Sequence, residues 1–146
     1  MADVEKKVSE KKPAKKDYLL AIGRRRRAVA RVRLYKSGSG IITVNSKPAQ
    51  EYFSTEANKA AYMLPFAVTN TVGKFDVTVK VVGGGAAGQL GAVIHGIARA
   101  IESVDSKEYR PALKSKGLLT RDPRVKQRRM VGMGGKSRRR KQSPKR

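Results

Sequence analysis

The segment from Arg121 to Arg146 limits most strongly what this chain can fold into. It holds twelve Lys and Arg residues against one acidic residue, Asp122, and few apolar side chains. A segment of this composition buries too little apolar surface to offset the entropy that it loses on ordering. Alone it is predicted to be disordered and to order only against a polyanion, so the residues before it must build the fold.

The rest of the chain carries less charge of the same sign. The 34 Lys and Arg residues outnumber 11 Asp and Glu, and the net charge of +23 divides into +2 for residues 1–17, +10 for residues 18–120 and +11 for residues 121–146. A field of this strength repels itself and indicates a partner that carries dense phosphate. We therefore expect the body as well as the tail to contact nucleic acid.

One domain accounts for the length of 146 residues. Residues 18–120 are predicted to form a globular domain, residues 1–17 a disordered basic extension and residues 121–146 an extended basic tail. The chain has no Cys, which excludes a disulfide framework and a thiolate metal site. Its apolar runs are too short to span a bilayer, so no membrane contact is predicted.

Two segments alternate apolar and polar side chains with the period of a half-buried strand. They are Ala28–Tyr35, whose polar face is basic, and Phe75–Val81. Ser37–Gly40 has the composition of a turn, and Ile41–Val44 is a short run of four β-branched residues. Residues 28–45 are therefore predicted to form a β-hairpin.

Short helices are expected on either side of the second strand. A turn opened by Pro48 covers residues 49–53, and a helix capped by Thr55 is predicted to end at Leu64, because Pro65 follows it. After the strands, Ser106 is predicted to cap a last helix, which Gly117 ends.

A longer helix is expected directly after the glycine run that begins at Gly83. Its apolar stripe consists of Leu90, Ile94, Ile97 and Ile101. On the opposite face, His95 and Arg99 each fall within about 20° of Gly88 at about 100° per residue. The glycine in this row suggests a close neighbour, either an RNA backbone or a packing contact inside the protein.

The run from Gly83 to Gly88 fits the pattern GxGxxG between a strand and a helix, where backbone N–H groups can hold phosphate. A dinucleotide site also needs an acid at the end of a second parallel strand, and Asp105 lies between two predicted helices instead. A strand-to-helix turn is favoured, with an RNA phosphate at the helix start or a nucleotide-dependent enzyme as alternatives. His95 is the only histidine and has no partners for catalysis or metal binding, so no catalytic residue, metal or cofactor is predicted.

Arginine dominates the cluster formed by Arg24–Arg27, Arg31 and Arg33. Such a run is usually a solvated face, but the planar guanidinium group matches the geometry of phosphate. Strand alternation divides the cluster between two faces and a loop, so we expect it to bridge neighbouring RNA strands.

Several blocks occur in a fixed order along the chain. They are Ile22–Val32, Ile42–Asn45, Glu51–Phe53, Gly83–Gln89, His95–Ala100, Arg110–Leu113 and Gly117–Arg124. Together these blocks resemble the bacterial type of the small-subunit ribosomal protein nine family. A basic DNA-binding architectural protein is an alternative of another class, but the tail lacks helical periodicity and the body lacks a helix-turn-helix pattern.

The resemblance implies an α+β fold, a two-layer arrangement in which helices cover one side of a mixed sheet, like the second domain of small-subunit ribosomal protein five. It also implies a place in the cytoplasmic ribosome, in the head of the small subunit, on ribosomal RNA of the 3′ major domain and beside neighbouring head proteins. In that family the long basic C-terminal tail reaches the transfer RNA at the peptidyl site. Lys145 and Arg146 match the pair of residues that lies near it.

The cluster, the motifs and the resemblance together give the residues predicted to bind RNA. Those for ribosomal RNA are Arg24, Arg25, Arg26, Arg27, Arg31, Arg33, Gly84, Gly85, Gly88, His95, Arg99, Arg110, Arg121, Arg124, Lys126, Arg128, Arg129, Arg138, Arg139 and Arg140. Those for transfer RNA are Lys145 and Arg146.

Overall fold

Three antiparallel strand pairs and one parallel pair build a five-stranded sheet in residues 18–128, the part of the chain that the computed structural model describes. The elements are β1 Tyr18–Arg25, β2 Ala28–Tyr35, β3 Ile42–Val44, β4 Lys47–Pro48, α1 Ala49–Tyr52, α2 Glu56–Val68, β5 Asp76–Val82, α3 Ala86–Glu102 and α4 Ser106–Ser115. The strand order is β1-β2-β5-β3-β4. The predicted α+β fold with a mixed sheet is confirmed, whereas the predictions for residues 1–17 and 129–146 lie outside the described residues.

One face of the sheet carries the core. Its buried side chains on the two central strands are Ala28, Ala30, Val32, Leu34, Val77, Val79 and Val81. The helix α3 packs across β1, β2 and β5 on this side, and α2 and α4 pack against α3. The alternation in the sequence follows from this arrangement, because every second side chain of a strand points to the same face.

The predicted hairpin over residues 28–45 is wrong. The strands β2 and β3 do not pair with each other, because β5 lies between them, antiparallel to β2 and parallel to β3. The turn-like residues Ser37–Gly40 form part of a crossing loop that is held to the start of β5. There Asp76 Oδ1 accepts hydrogen bonds from the backbone N–H groups of Ser39 at 2.8 Å and Ile41 at 2.9 Å.

The predicted end of α2 is also wrong. The helix passes through Pro65 and ends at Val68 instead of stopping at Leu64. Proline removes one hydrogen bond from a helix interior, but Pro65 and Phe66 are both buried. Burying these two side chains favours continuation of the helix over a break.

The last helix begins one residue earlier than predicted, because its cap is not Ser106. The cap of α4 is Asp105, whose carboxylate accepts hydrogen bonds from the backbone N–H groups of Lys107 and Glu108, and Ser106 is the first helical residue. An aspartate at this position also interacts favourably with the helix dipole. The predicted stop is confirmed, because Gly117 has a φ of 67°, a left-handed conformation that ends helices.

The helix α3 is buried on more sides than one apolar stripe requires. Ile97 and Ile101 are fully buried as predicted, whereas Leu90 and Ile94 are only partly buried. The cause is the position of α3, which has the sheet on one side and α2 and α4 on others.

Two glycines allow β1 and α3 to meet through their backbones. A Cβ atom on Gly23 would lie 1.9 Å from the carbonyl oxygen of Ala92, and a Cβ on Gly96 would lie 3.1 Å from the backbone nitrogen of Gly23 and 2.6 Å from Val32 Cγ2 of β2. Any larger residue at either position would force the strand and the helix apart. This close contact fixes the position of β1 on α3, and with it the position of the arginines that follow Gly23.

Candidate nucleic-acid interface

The connection between β1 and β2 presents an arginine turn, defined here as Arg24–Arg27. The two strands pair as far as Arg25, so Arg26 and Arg27 form a two-residue connection. Arg26 has a φ of 51°, the left-handed conformation that tight hairpin turns require. The side chains of Arg24, Arg26 and Arg27 are exposed, and none of the three forms a salt bridge within residues 18–128. Three guanidinium groups are therefore available to an anion.

The glycine run begins α3 beside the arginine turn. Gly83 and Gly84 have φ values of 76° and 64°, which favour glycine, and Gly85 is the N-cap of α3. A Cβ on Gly83 would lie 2.6 Å from the carbonyl oxygen of Arg27. The sequence thus folds as a strand-to-helix turn, and the N–H groups at the start of α3 lie close to the arginines. Phosphate is bound well by such N–H groups, because they combine free donors with the positive end of the helix dipole.

Arg31 and Arg33 lie on the face of the sheet opposite the helices. The register of β2 and β5 places Lys80 directly opposite Arg31. Arg33 lies over the ring of Tyr18, with 5.2 Å between Cζ and the ring centroid. Sequence reasoning missed Lys80, although the alternation of β5 puts it on the same side as the polar residues of that strand.

The row formed by Gly88, His95 and Arg99 packs against β1. The backbone N–H of Arg24 donates to His95 Nδ1 at 3.3 Å, and Arg99 Nη1 donates to the carbonyl oxygen of Ile22 at 2.6 Å. Gly88 is buried. The row therefore does not lie opposite the core, and these contacts support the packing alternative for the glycine.

His95 joins β1 to the segment that leads into the tail. A backbone N–H can only donate, so Nδ1 is the acceptor, and the proton of the neutral ring lies on Nε2, 3.2 Å from the carbonyl oxygen of Leu119. Burial lowers the pKa of His95, and the charges of Arg99 and Arg121 lower it further, while the bond to Leu119 opposes this change. The ring is neutral at pH 7 and serves as a structural link.

The base of the tail, defined here as residues 121–128, is held to the arginine turn through Arg25. Arg25 Nη2 lies 3.0 Å from Asp122 Oδ2, and Arg25 Nη1 donates to the carbonyl oxygen of Arg124 at 2.6 Å. Hydrogen bonds from the side chain of Arg124 hold the pKa of Asp122 well below its usual range, and the charge of Arg25 acts in the same direction. Sequence reasoning did not assign Asp122 a role; its signal is that it is the one acid among the tail's many cations.

The other predicted residues are more dispersed. Arg110 forms an ion pair with Glu102 in the helix layer. Arg121, Lys126 and Arg128 are exposed along the base of the tail. The predicted residues that lie outside the described part of the chain are Arg129, Arg138, Arg139, Arg140, Lys145 and Arg146.

Residues 18–128 contain no group of three or more His, Cys, Asp or Glu side chains placed to hold a metal ion. None of the helices in this range combines the length and the hydropathy needed to cross a bilayer.

The profile of the family described as "Ribosomal protein S9/S16" matches residues 23–146. A curated relative, "Small ribosomal subunit protein uS9" of Dehalococcoides mccartyi, is 49% identical over 119 residues, which cover 82% of this chain and 89% of the relative. The protein of the same name from Maridesulfovibrio salexigens is 50% identical over 120 residues, which cover 82% of this chain and 91% of the relative. The chain belongs to the ribosomal protein S9/S16 family, a family of structural proteins and not of enzymes, as its motifs predicted.

Proposed function

We propose that the chain is a structural constituent of the small ribosomal subunit that binds ribosomal RNA of the head, in the 3′ major domain. Its relatives are named as small-subunit proteins. The observation that carries the RNA-binding role is that the arginine turn lies against the start of α3 through Arg27 and against the base of the tail through Arg25. Guanidinium groups and helix-start N–H groups are both phosphate ligands, so one RNA segment can engage them together.

Contacts within the protein divide the predicted residues into two groups. Arg25, His95 and Arg99 hold β1, α3 and the base of the tail together, and they act on RNA by positioning their neighbours. The exposed cations present charge directly to phosphate; they are Arg24, Arg26, Arg27, Arg31, Arg33, Arg121, Lys126 and Arg128.

The tail completes the proposal. Residues 18–120 place the protein on RNA of the head, and residues 121–146 extend from it and bring Lys145 and Arg146 to the transfer RNA at the peptidyl site. The resemblance of the tail to that of its family supports this role, and so does the Arg25–Asp122 contact, which fixes where the tail leaves the body. Neighbouring head proteins as partners, a cytoplasmic ribosome, and likeness to the second domain of small-subunit ribosomal protein five belong to the same proposal.

The test is the salt dependence with which the full chain binds a transcript of the 3′ major domain. Each duplex phosphate that is neutralised contributes about −0.9 to the slope of log K against log salt. A variant with Arg24→Gln, Arg26→Gln and Arg27→Gln is expected to lower the magnitude of that slope by up to about 2.7.

The control variant removes three exposed lysines of the helix layer, with Lys59→Gln, Lys107→Gln and Lys114→Gln. It changes the net charge equally and is expected to change the slope by less than half as much. Equal slopes for the two variants would show that the arginine turn does not contact phosphate.

A further inference from the structure

The face of the sheet opposite the helices is the surface that the arginine turn does not explain. This open face is concave, and its central side chains are Leu20, Ile22, Arg31, Arg33, Lys80 and Val82. It combines cations with apolar groups, whereas a protein core is apolar and an ordinary solvated face is polar.

The cations of the open face lack counter-charges in the described chain. Arg31 and Lys80 are direct neighbours across β2 and β5, and like charges in such positions oppose each other. Within residues 18–128, Arg31, Arg33 and Lys80 form no salt bridge. Asp76, at the edge of the same face, has one carboxylate oxygen engaged by two backbone N–H groups of the crossing loop. A polyanion supplies the charge that this arrangement lacks.

The apolar groups of the open face restrict the kind of polyanion. Leu20 is 53% exposed and Val82 is 55% exposed, although strand alternation normally gives the solvent face polar side chains. An A-form RNA duplex presents phosphates and riboses and hides the flat faces of its bases in the stack, so it covers cations but not apolar side chains. Unpaired nucleotides present phosphates and exposed base planes together.

A stacked arginine favours RNA over an acidic protein segment. Arg33 lies over the ring of Tyr18, and Tyr35 lies beside it with 5.9 Å between the two ring centroids. Guanidinium groups and aromatic rings are the surfaces on which unpaired bases stack, whereas the carboxylates of an acidic peptide gain nothing from a stacking surface.

We propose that the open face binds an unpaired segment of RNA, with its phosphates on Arg31, Arg33 and Lys80 and its bases against the neighbouring apolar and aromatic side chains. This inference rests on the proposed function, which supplies the RNA. It adds a second contact surface on the opposite side of the sheet from α3, with a different form of RNA.

Photocrosslinking in assembled subunits tests the inference. The full-length chain carries p-benzoylphenylalanine in place of Leu20, and small subunits are reconstituted with it. The control carries the same group in place of Leu64, an exposed leucine of α2 in the helix layer. Crosslinks from position 20 are expected in ribosomal RNA, at unpaired nucleotides, with a yield above that of the control.

Two other results would overturn the inference: crosslinks from position 20 to a protein or to paired nucleotides, or a yield no higher than that of the control. Incorporation is scored first, by sedimentation with the subunits. A wild-type chain that does not sediment with them contradicts the proposed function, whereas a chain that sediments but crosslinks elsewhere contradicts only the open-face site.

A second variant needs no photoreactive group. Each phosphate neutralised on an unpaired strand contributes about −0.7 to the salt slope, so Arg31→Gln with Lys80→Gln is expected to lower its magnitude by about 1.4 for a transcript of the 3′ major domain. The matched pair Lys59→Gln with Lys107→Gln is expected to change it by less than half as much. Equal changes for the two pairs would show that the open face does not contact phosphate and is an ordinary charged surface.

Discussion

Lys80 opposes Arg31 across the sheet, so Lys80→Gln is expected to stabilise the free protein. Directly opposed residues of antiparallel strands have Cβ atoms about 5 Å apart, and their charged ends can separate further into solvent. Two unit charges about 7 Å apart in water repel by about 0.6 kcal/mol, within the range of about 0.2–1 kcal/mol for cross-strand pairs. Glutamine keeps much of the aliphatic stem of lysine, so little packing is lost.

Scanning calorimetry of the full chain without RNA measures this gain. A stabilisation of about 0.5 kcal/mol corresponds to a rise of roughly 2–4 °C in Tm for a domain of this size. The gain is expected at low ionic strength and should vanish near ~1 M salt, where the screening length falls to about 3 Å. The control is Lys74→Gln, which removes the same charge from an exposed loop before β5.

A Tm for Lys80→Gln no higher than that of Lys74→Gln would refute the reasoning, as would a gain that persists in high salt. Loss of stability in the Lys80 variant would show that contacts within the protein already stabilise the lysine, so that its charge is not left free to bind an anion.

Three further predictions concern packing, pH and the tail. Gly23→Ala is expected to destabilise the free protein by about 3 kcal/mol or more in urea unfolding, because its Cβ would lie 1.9 Å from the Ala92 oxygen; Gly88→Ala, whose Cβ would lie 3.8 Å from its neighbours, should be neutral or stabilise by up to about 1 kcal/mol. The folded pKa of His95 is lowered from 6.5, so the unfolded state binds the proton more readily and stability should fall as pH falls below about 6.5; a His95→Gln variant that keeps the same decline would contradict this origin. Deleting Lys145 and Arg146 should leave subunit assembly nearly intact and weaken transfer RNA binding at the peptidyl site about 5- to 150-fold, the loss of ~1–3 kcal/mol of charge-assisted contacts, and unchanged affinity in fully assembled subunits would count against tail contact.

Local features of the fold were readable from the sequence, and its pairings were not. The strands β2 and β5 each bury one face, so apolar residues recur at every second position of their sequences. The glycine run is likewise local, since Gly83 and Gly84 need left-handed backbone. The loop Ser37–Gly40 has the composition of a hairpin turn, but its composition does not reveal that Ser39 meets Asp76, 37 positions later.

The residue types at the site indicated that it binds phosphate. Their spacing did not show which cationic side chains are already engaged in contacts within the protein. Arg25 is one of four consecutive arginines, yet it alone is held by the tail base, through Asp122 and the backbone of Arg124, 99 positions later. Lys80 was invisible as a partner of Arg31 until the register was known. Such contacts join distant parts of the chain, and no local pattern encodes them.

The strand β5 lies at the centre of the sheet although it is the last strand to be synthesised. During translation of this chain, the hairpins β1–β2 and β3–β4 are synthesised before β5, the strand that pairs with both β2 and β3. The sheet closes only after residue 82 has left the exit tunnel, and such distant pairings form slowly. Until then the two hairpins of the nascent chain are not paired with each other through β5, and their apolar faces are uncovered. The chain is most prone to aggregation, and depends most on chaperones, during this interval.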